Sequence, residues 1–147
     1  MFAASKTDGS GLTVDPQFNY VTMLLHGDGT NGAQNNTFLD SSTNNFTITR
    51  NGNTTQGSFS PYGSNWSNYF GGTGDYLDVS LISTLGTGNF TVECWFNNVD
   101  LVNQPIFSIG TFSSGIDVRT SESAPSKLDV ICFGSFKSAT FTAANAW

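Results

Sequence analysis

Cations are scarce in this chain: five Lys and Arg stand against eleven Asp and Glu in 147 residues, with a single histidine and a formal net charge of −6. Nucleic-acid backbones are bound by clustered cations that displace counterions, whereas Arg50, Arg119, Lys127 and Lys137 are scattered. That distribution excludes a phosphate-backbone partner. No apolar run approaches the ~20 residues of a membrane-spanning helix, and the residues after Met1 contain no hydrophobic signal core. Neither membrane insertion nor export by a signal peptide is expected. The two cysteines, Cys94 and Cys132, both fall in apolar strand-like runs without a second ligand type at metal-site spacing. Two reduced, buried thiols and no zinc site are the expectation.

What the chain does have is aromatic residues and small polar ones. Thirteen Phe, four Tyr and three Trp compensate for an apolar content of only 37%, because each buries a large area. An aromatic-rich β core is the natural use of them. Gly, Ser, Thr and Asn make up close to half of the chain, so the expected surface consists of uncharged hydroxyls and amides on many loops.

Periodicity along the chain is that of strands. Residues 1–19, with Gly9, Gly11 and Pro16 and few large apolar groups, read as an extended N-terminal arm. The domain proper is expected over 20–147. Its first apolar run, Val21–Leu25, reads as the first strand and ends at Gly27-Asp28-Gly29. Phe46–Thr49 reads as a short strand, and the following Asn51-Gly52 is a strong hairpin signal. The stretch from Gln56 to Asn68 reads as a long loop. Tyr76–Val79 follows the Gly71–Gly74 turn. Phe90–Phe96, alternating apolar and polar, is expected to be the central strand; Pro105–Ile109 and Leu128–Phe133 are further strands. At least six strands separated by turn signals imply an all-β fold, an antiparallel sandwich or barrel.

The order of these stretches resembles the laminin-G-like, concanavalin A-like jelly-roll family, in the variant found in phage and marine-virus structural proteins. The residues that carry the resemblance are Val21 to Gly32 (V-T-M-L-L-H-G-D-G-T-N-G), Phe38-Leu39-Asp40-Ser41-Ser42, Ser60 to Phe70 (S-P-Y-G-S-N-W-S-N-Y-F), Gly72 to Leu77 (G-T-G-D-Y-L) and Gly88 to Trp95 (G-N-F-T-V-E-C-W). It covers about residues 20–147. Gly71 stands where the family pattern often has Asp, so that carboxylate's role is absent here. In the family, a run like Phe141–Trp147 leads into further strands. The resemblance therefore implies the front part of a jelly-roll sandwich lacking its C-terminal strands, completed either by a longer chain or by a neighbouring one. It also implies a setting on a virion surface, as a fibre, tail-associated or capsid-decorating component. Residues 1–19 would then dock on other virion proteins, the chain would be part of a homo-oligomer, and host-surface glycan would be a further partner. A carbohydrate-binding lectin domain of a larger adhesin is the alternative, and a polysaccharide hydrolase a third reading.

Catalysis finds little support in the residues. Glu93 is the carboxylate a glycosidase reading would recruit, but such chemistry needs two carboxyls flanking the scissile bond; the only other glutamate, Glu122, lies in a serine-rich loop. His26 has no Ser or Cys partner at triad spacing. No enzyme is expected. The binding hypothesis rests on Tyr62, Trp66, Tyr69 and Tyr76, whose rings can stack on the CH faces of sugars while Asn65 and its neighbours bond to hydroxyls; the competing use of these aromatics is to cap one end of the fold. No cofactor is expected apart from calcium, which some laminin-G-like domains bind and for which Asp28 and Asp75 are the candidate ligands. Aspartates in turns, Asp40 and Asp78 included, equally serve to satisfy backbone amides.

Overall fold

The computed structural model describes residues 15–27, 37–57, 67–72, 74–80, 88–97, 103–110, 115–122 and 127–140. The protein is all-β and its strand pairs are antiparallel; the only helical element described is a 3-10 turn at Phe18–Tyr20. The strands are β1 (Ile48–Asn51), β2 (Thr55–Gly57), β3 (Ser67–Tyr69), β4 (Tyr76–Val79), β5 (Pro105–Ile109), β6 (Ile116–Thr120), β7 (Lys127–Cys132) and β8 (Ser135–Thr140). They form two compact units, Met1–Leu81 and Ile82–Trp147. The sheets are small and open: β1–β4 and β2–β3 in the first unit, and β5-β6-β7-β8 in the second.

In the first unit the chain doubles back as two short ladders, Ile48↔Val79 to Asn51↔Tyr76 and Thr55↔Tyr69 to Gly57↔Ser67. Between them lie residues 52–54 on one side and 70–75 on the other. Asn51-Gly52 does turn the chain, with Gly52 at φ +63°, but no hairpin forms there: β1 pairs with β4 and β2 with β3. Arg50 Nε donating to the Thr54 carbonyl, and Thr54 Oγ1 to the Asn51 carbonyl, close this corner. Both ends of the stretch expected to be a loop are in strands, because Gln56 and Asn68, with no apolar signal, pair across β2–β3. Their amide oxygens are both hidden from solvent without a donor.

Two expected strands are not strands. Val21–Leu25 runs irregular, half-buried except at the exposed Thr22. Side chains rather than a ladder hold it: the Thr22 carbonyl accepts from Ser42 Oγ and Asn44 Nδ2, and Leu24 N–H donates to Asp40. Phe90–Phe96 is also outside every described strand pair, with Phe90, Val92 and Trp95 exposed. Alternation supplies the right faces for a strand, but a strand exists only with a hydrogen-bonding neighbour, and no described strand is its neighbour. Cys94, on this segment, is exposed rather than buried, whereas Cys132 is half-buried; both are free. Protein around the Cys94 sulfur still pushes its thiol above the ordinary range.

The second unit is a meander whose register runs Ile109↔Ile116 between β5 and β6, Ile116↔Cys132 between β6 and β7, and Cys132↔Ser135 between β7 and β8, with a shift between Pro105 and Phe107. β5 and β7 stand where the sequence places them; β6 and β8 are additions. The expected aromatic core is not what the described residues build. Their buried apolar side chains are Phe38, Ile116 and Ile131, accompanied by buried Asp40, Ser42, Thr54, Gln56, Thr120, Ser121 and Asp129, while Tyr69, Tyr76, Trp95 and Phe136 are exposed. Buried polar groups of this kind stay in place by hydrogen bonding.

Candidate functional site

Of the residues expected to contact a sugar, Tyr62, Asn65 and Trp66 lie outside the described residues, as does Asp28. Tyr69 and Tyr76 are described, and both are exposed, at 61% and 54%. They flank one loop: Tyr69 ends β3, Tyr76 begins β4, and the irregular stretch between them carries Gly71, Gly72 and Gly74. Asp75 organises this loop. One carboxylate oxygen accepts from the Asn53 amide at 2.6 Å and the other from the Gly71 amide at 2.7 Å, tying the 52–54 turn to the glycine loop. Its own amide donates to the Gly72 carbonyl.

Two glycines make that arrangement possible. A Cβ on Gly52 would lie 2.1 Å from Asp75 Oδ1 and 2.5 Å from the Gly74 carbonyl oxygen, and its φ of +63° is unfavourable to any side chain. A Cβ on Gly71 would lie 3.1 Å from Asp75 Oδ2 and 3.5 Å from Tyr69 Cε1. The ring of Tyr69 thus rests beside the Gly71 backbone and the Asp75 carboxylate, with more than half of its surface facing solvent. An aromatic ring beside a hydrogen-bonded loop, with an open face, is an arrangement that can stack on a planar or CH-rich ligand. Asp75, a calcium candidate from the sequence, accepts a backbone amide at each of its two oxygens.

Asp40 works the same way with more donors. It is 4% exposed, and it accepts the amides of Leu24, Ser42 and Phe46, each at 2.9 Å, and the Ser42 hydroxyl at 2.8 Å. Burial pushes its carboxyl up, but the three amides and the hydroxyl together outweigh it and hold the group below its ordinary value. Leu24 and Asp40 are further linked by the Ser41 amide donating to the Leu24 carbonyl. The aspartate is therefore a joint between chain segments.

The second unit carries a polar row that sequence reasoning missed. Arg119 on β6 stands opposite Asp129 on β7, which stands opposite Ser138 on β8, so the three side chains share a face of the sheet. Arg119 makes a two-point contact with Asp117, Nε to Oδ1 at 2.6 Å and Nη2 to Oδ2 at 2.7 Å, and Nη1 donates to Asn103 at 3.0 Å. The hydrogen bond to the Asp117 carboxylate, first, and then the charges of Asp117, Glu122 and Asp129 raise the guanidinium above its ordinary range, against the effect of burial. Asp129, 3% exposed, accepts from the Ser138 hydroxyl. The alternation in Ile116–Thr120 was the only signal for this row, since nothing in the spacing tells which strand lies alongside which.

Glu93 and His26 are exposed. Among the described residues, no three His, Cys, Asp or Glu side chains gather as a metal site, and no helix is long and apolar enough to cross a membrane. No family model, curated protein or solved structure matches this chain.

Proposed function

We propose that the chain is a non-catalytic adhesion and structural module of a virion surface protein, built on a laminin-G-like jelly roll whose loops contact glycan. The observation that carries the reading is the loop between β3 and β4, where Tyr69 and Tyr76 stand exposed on a backbone braced by Asp75. Support comes also from the weakly charged composition, which suits stacking and hydroxyl bonding rather than recognition of phosphate, and from the ordered series of stretches that resembles the viral jelly rolls. On this reading the open sheets are parts of a sandwich, Trp66 and Tyr62 extend the aromatic surface, and residues 1–19 dock on the particle.

A glycan array probed with the full chain tests it. Binding to at least one glycan, weakened about tenfold or more by Tyr69→Ala or Tyr76→Ala at unchanged stability, is the expected result. Absence of binding to any sugar removes the adhesive half of the reading. The virion half is tested separately by deleting residues 2–15, which is expected to leave the β circular dichroism signal intact and to prevent incorporation into particles. A lectin domain of a larger adhesin predicts the same array result without particle incorporation.

A further inference from the structure

The β1–β4 ladder has two unlike faces. Cross-strand partners in an antiparallel pair project to the same side, and residues two apart on a strand share it, so the register puts Thr49, Asn51, Tyr76 and Asp78 on one face and Ile48, Arg50, Leu77 and Val79 on the other. Burial agrees. Thr49, Tyr76 and Asp78 are exposed and Asn51 is half-buried, whereas all four residues of the second face are half-buried. The outward face therefore presents a hydroxyl, a carboxamide, a phenol ring and a carboxylate side by side.

Their spacing is that of a small ligand. Tyr76 and Asp78 stand about 7 Å apart along β4, and each faces its β1 partner, Asn51 or Thr49, at about 5 Å. Asp78 is the telling member of the group. Asp40 and Asp75 use their oxygens on backbone amides, but among the described residues nothing donates to the Asp78 carboxylate, and the Thr49 hydroxyl and the Tyr76 phenol are likewise unbonded. Asn51 Nδ2 reaches only the Thr49 carbonyl, at a long 3.4 Å. A carboxylate with both oxygens open accepts two neighbouring hydroxyls of one sugar in charge-assisted bonds, while a ring two positions along the strand stacks on the CH face of the same sugar.

Charge sets the class of sugar. Asp75 and Asp78 stand on either side of Tyr76 in the chain, and the one cation of the ladder, Arg50, lies on the opposite face with its Nε donating to the Thr54 carbonyl. No group of the outward face can neutralise an acidic ligand. We propose that this face is a subsite for one neutral pyranose ring, stacked on Tyr76 and hydrogen-bonded through adjacent hydroxyls to Asp78, with Thr49 and Asn51 as further partners, and that it selects neutral glycans over sialylated, sulfated or uronic-acid ones. The inference rests on the glycan reading above and adds to it three contact residues and a ligand class.

A glycan array printed with neutral oligosaccharides beside their sialylated, sulfated and uronic-acid forms, probed with the full chain, tests the proposal, with urea denaturation to check each variant. The wild-type chain is expected to bind at least one neutral glycan about tenfold or more better than its acidic forms. Asp78→Asn keeps the shape and removes the charge, and is expected to weaken that binding about tenfold. Asp78→Lys is expected to weaken it further and to turn the preference toward the acidic forms. Because Asp78 is exposed and unbonded among the described residues, neither substitution is expected to change stability appreciably. Binding that Tyr69→Ala weakens but Asp78→Asn and Asp78→Lys leave unchanged overturns the subsite while the glycan reading stands, and so does a wild-type chain that prefers the acidic forms. A chain that binds no glycan overturns both.

Discussion

Removing the Asp40 carboxylate tests most directly how this protein holds its irregular segments. In Asp40→Asn, Oδ1 can keep the Leu24 and Ser42 amides, but the new NH2 group faces the Phe46 amide, donor against donor, where Oδ2 accepted it. A buried donor left without an acceptor costs about 1–3 kcal/mol, and the retained bonds lose their charge assistance. The expected destabilisation is about 2 kcal/mol. Asp40→Ala strands all three amides, which raises the expectation to about 4 kcal/mol, a large part of the ~5–15 kcal/mol of a typical domain. The pH dependence supplies the sign. Because the folded carboxyl lies below its ordinary value, its contribution is complete above the unfolded pKa of about 4 and disappears as pH falls through the lower folded value. Urea denaturation at pH 7 and at steps below pH 4 should therefore show the wild-type advantage over Asp40→Asn shrinking as acid is added. An Asp40→Asn chain within about 0.5 kcal/mol of wild type at pH 7 would refute the reasoning, since it would mean the segments 22–24 and 40–46 are held by something other than this side chain.

At the glycine corner, Gly52→Ala is expected to cost about 2 kcal/mol or more, read by urea denaturation, because its Cβ would collide with Asp75 at 2.1 Å in a conformation unfavourable to side chains. Asp75→Ala frees the amides of Asn53 and Gly71; hydrogen exchange at these two positions should accelerate while exchange in β7 stays unchanged. In the second unit, a double-mutant cycle of Arg119→Met with Asp117→Asn should give a coupling of about 1 kcal/mol, the upper part of the range for partly exposed pairs, because the contact is two-point. A coupling near zero would show the pair to be solvated.

The strand character of this protein is legible in the sequence because period-2 alternation is a local property. Pro105–Ile109 and Leu128–Cys132 alternate and are strands, and Tyr76–Val79 is recognisable by the glycine turn before it. Phe90–Phe96 has the same alternation and is not in a described strand pair. Alternation records which residues can share a face, and it carries no information about the neighbouring backbone that has to accept their hydrogen bonds. The converse error concerns Gln56 and Asn68, polar residues without periodic support, which pair because the chain on either side of them has already been brought together by β1–β4.

The candidate site divides along the same line. That Tyr69 and Tyr76 bracket a glycine-rich loop, that aspartates sit near glycine-rich turns and that cations are few and scattered are properties of residue identity and order, and the sequence alone determines them. Only the tertiary structure decides that Asp75 reaches back to Asn53 across 22 positions, that Asp40 gathers amides from Leu24 and Phe46, and that Arg119, Asp129 and Ser138 form a row. Each of these depends on register between segments distant in the chain. A carboxylate in a turn can serve any amide or cation that the fold delivers, and the delivery is made by long-range pairing that no local pattern encodes.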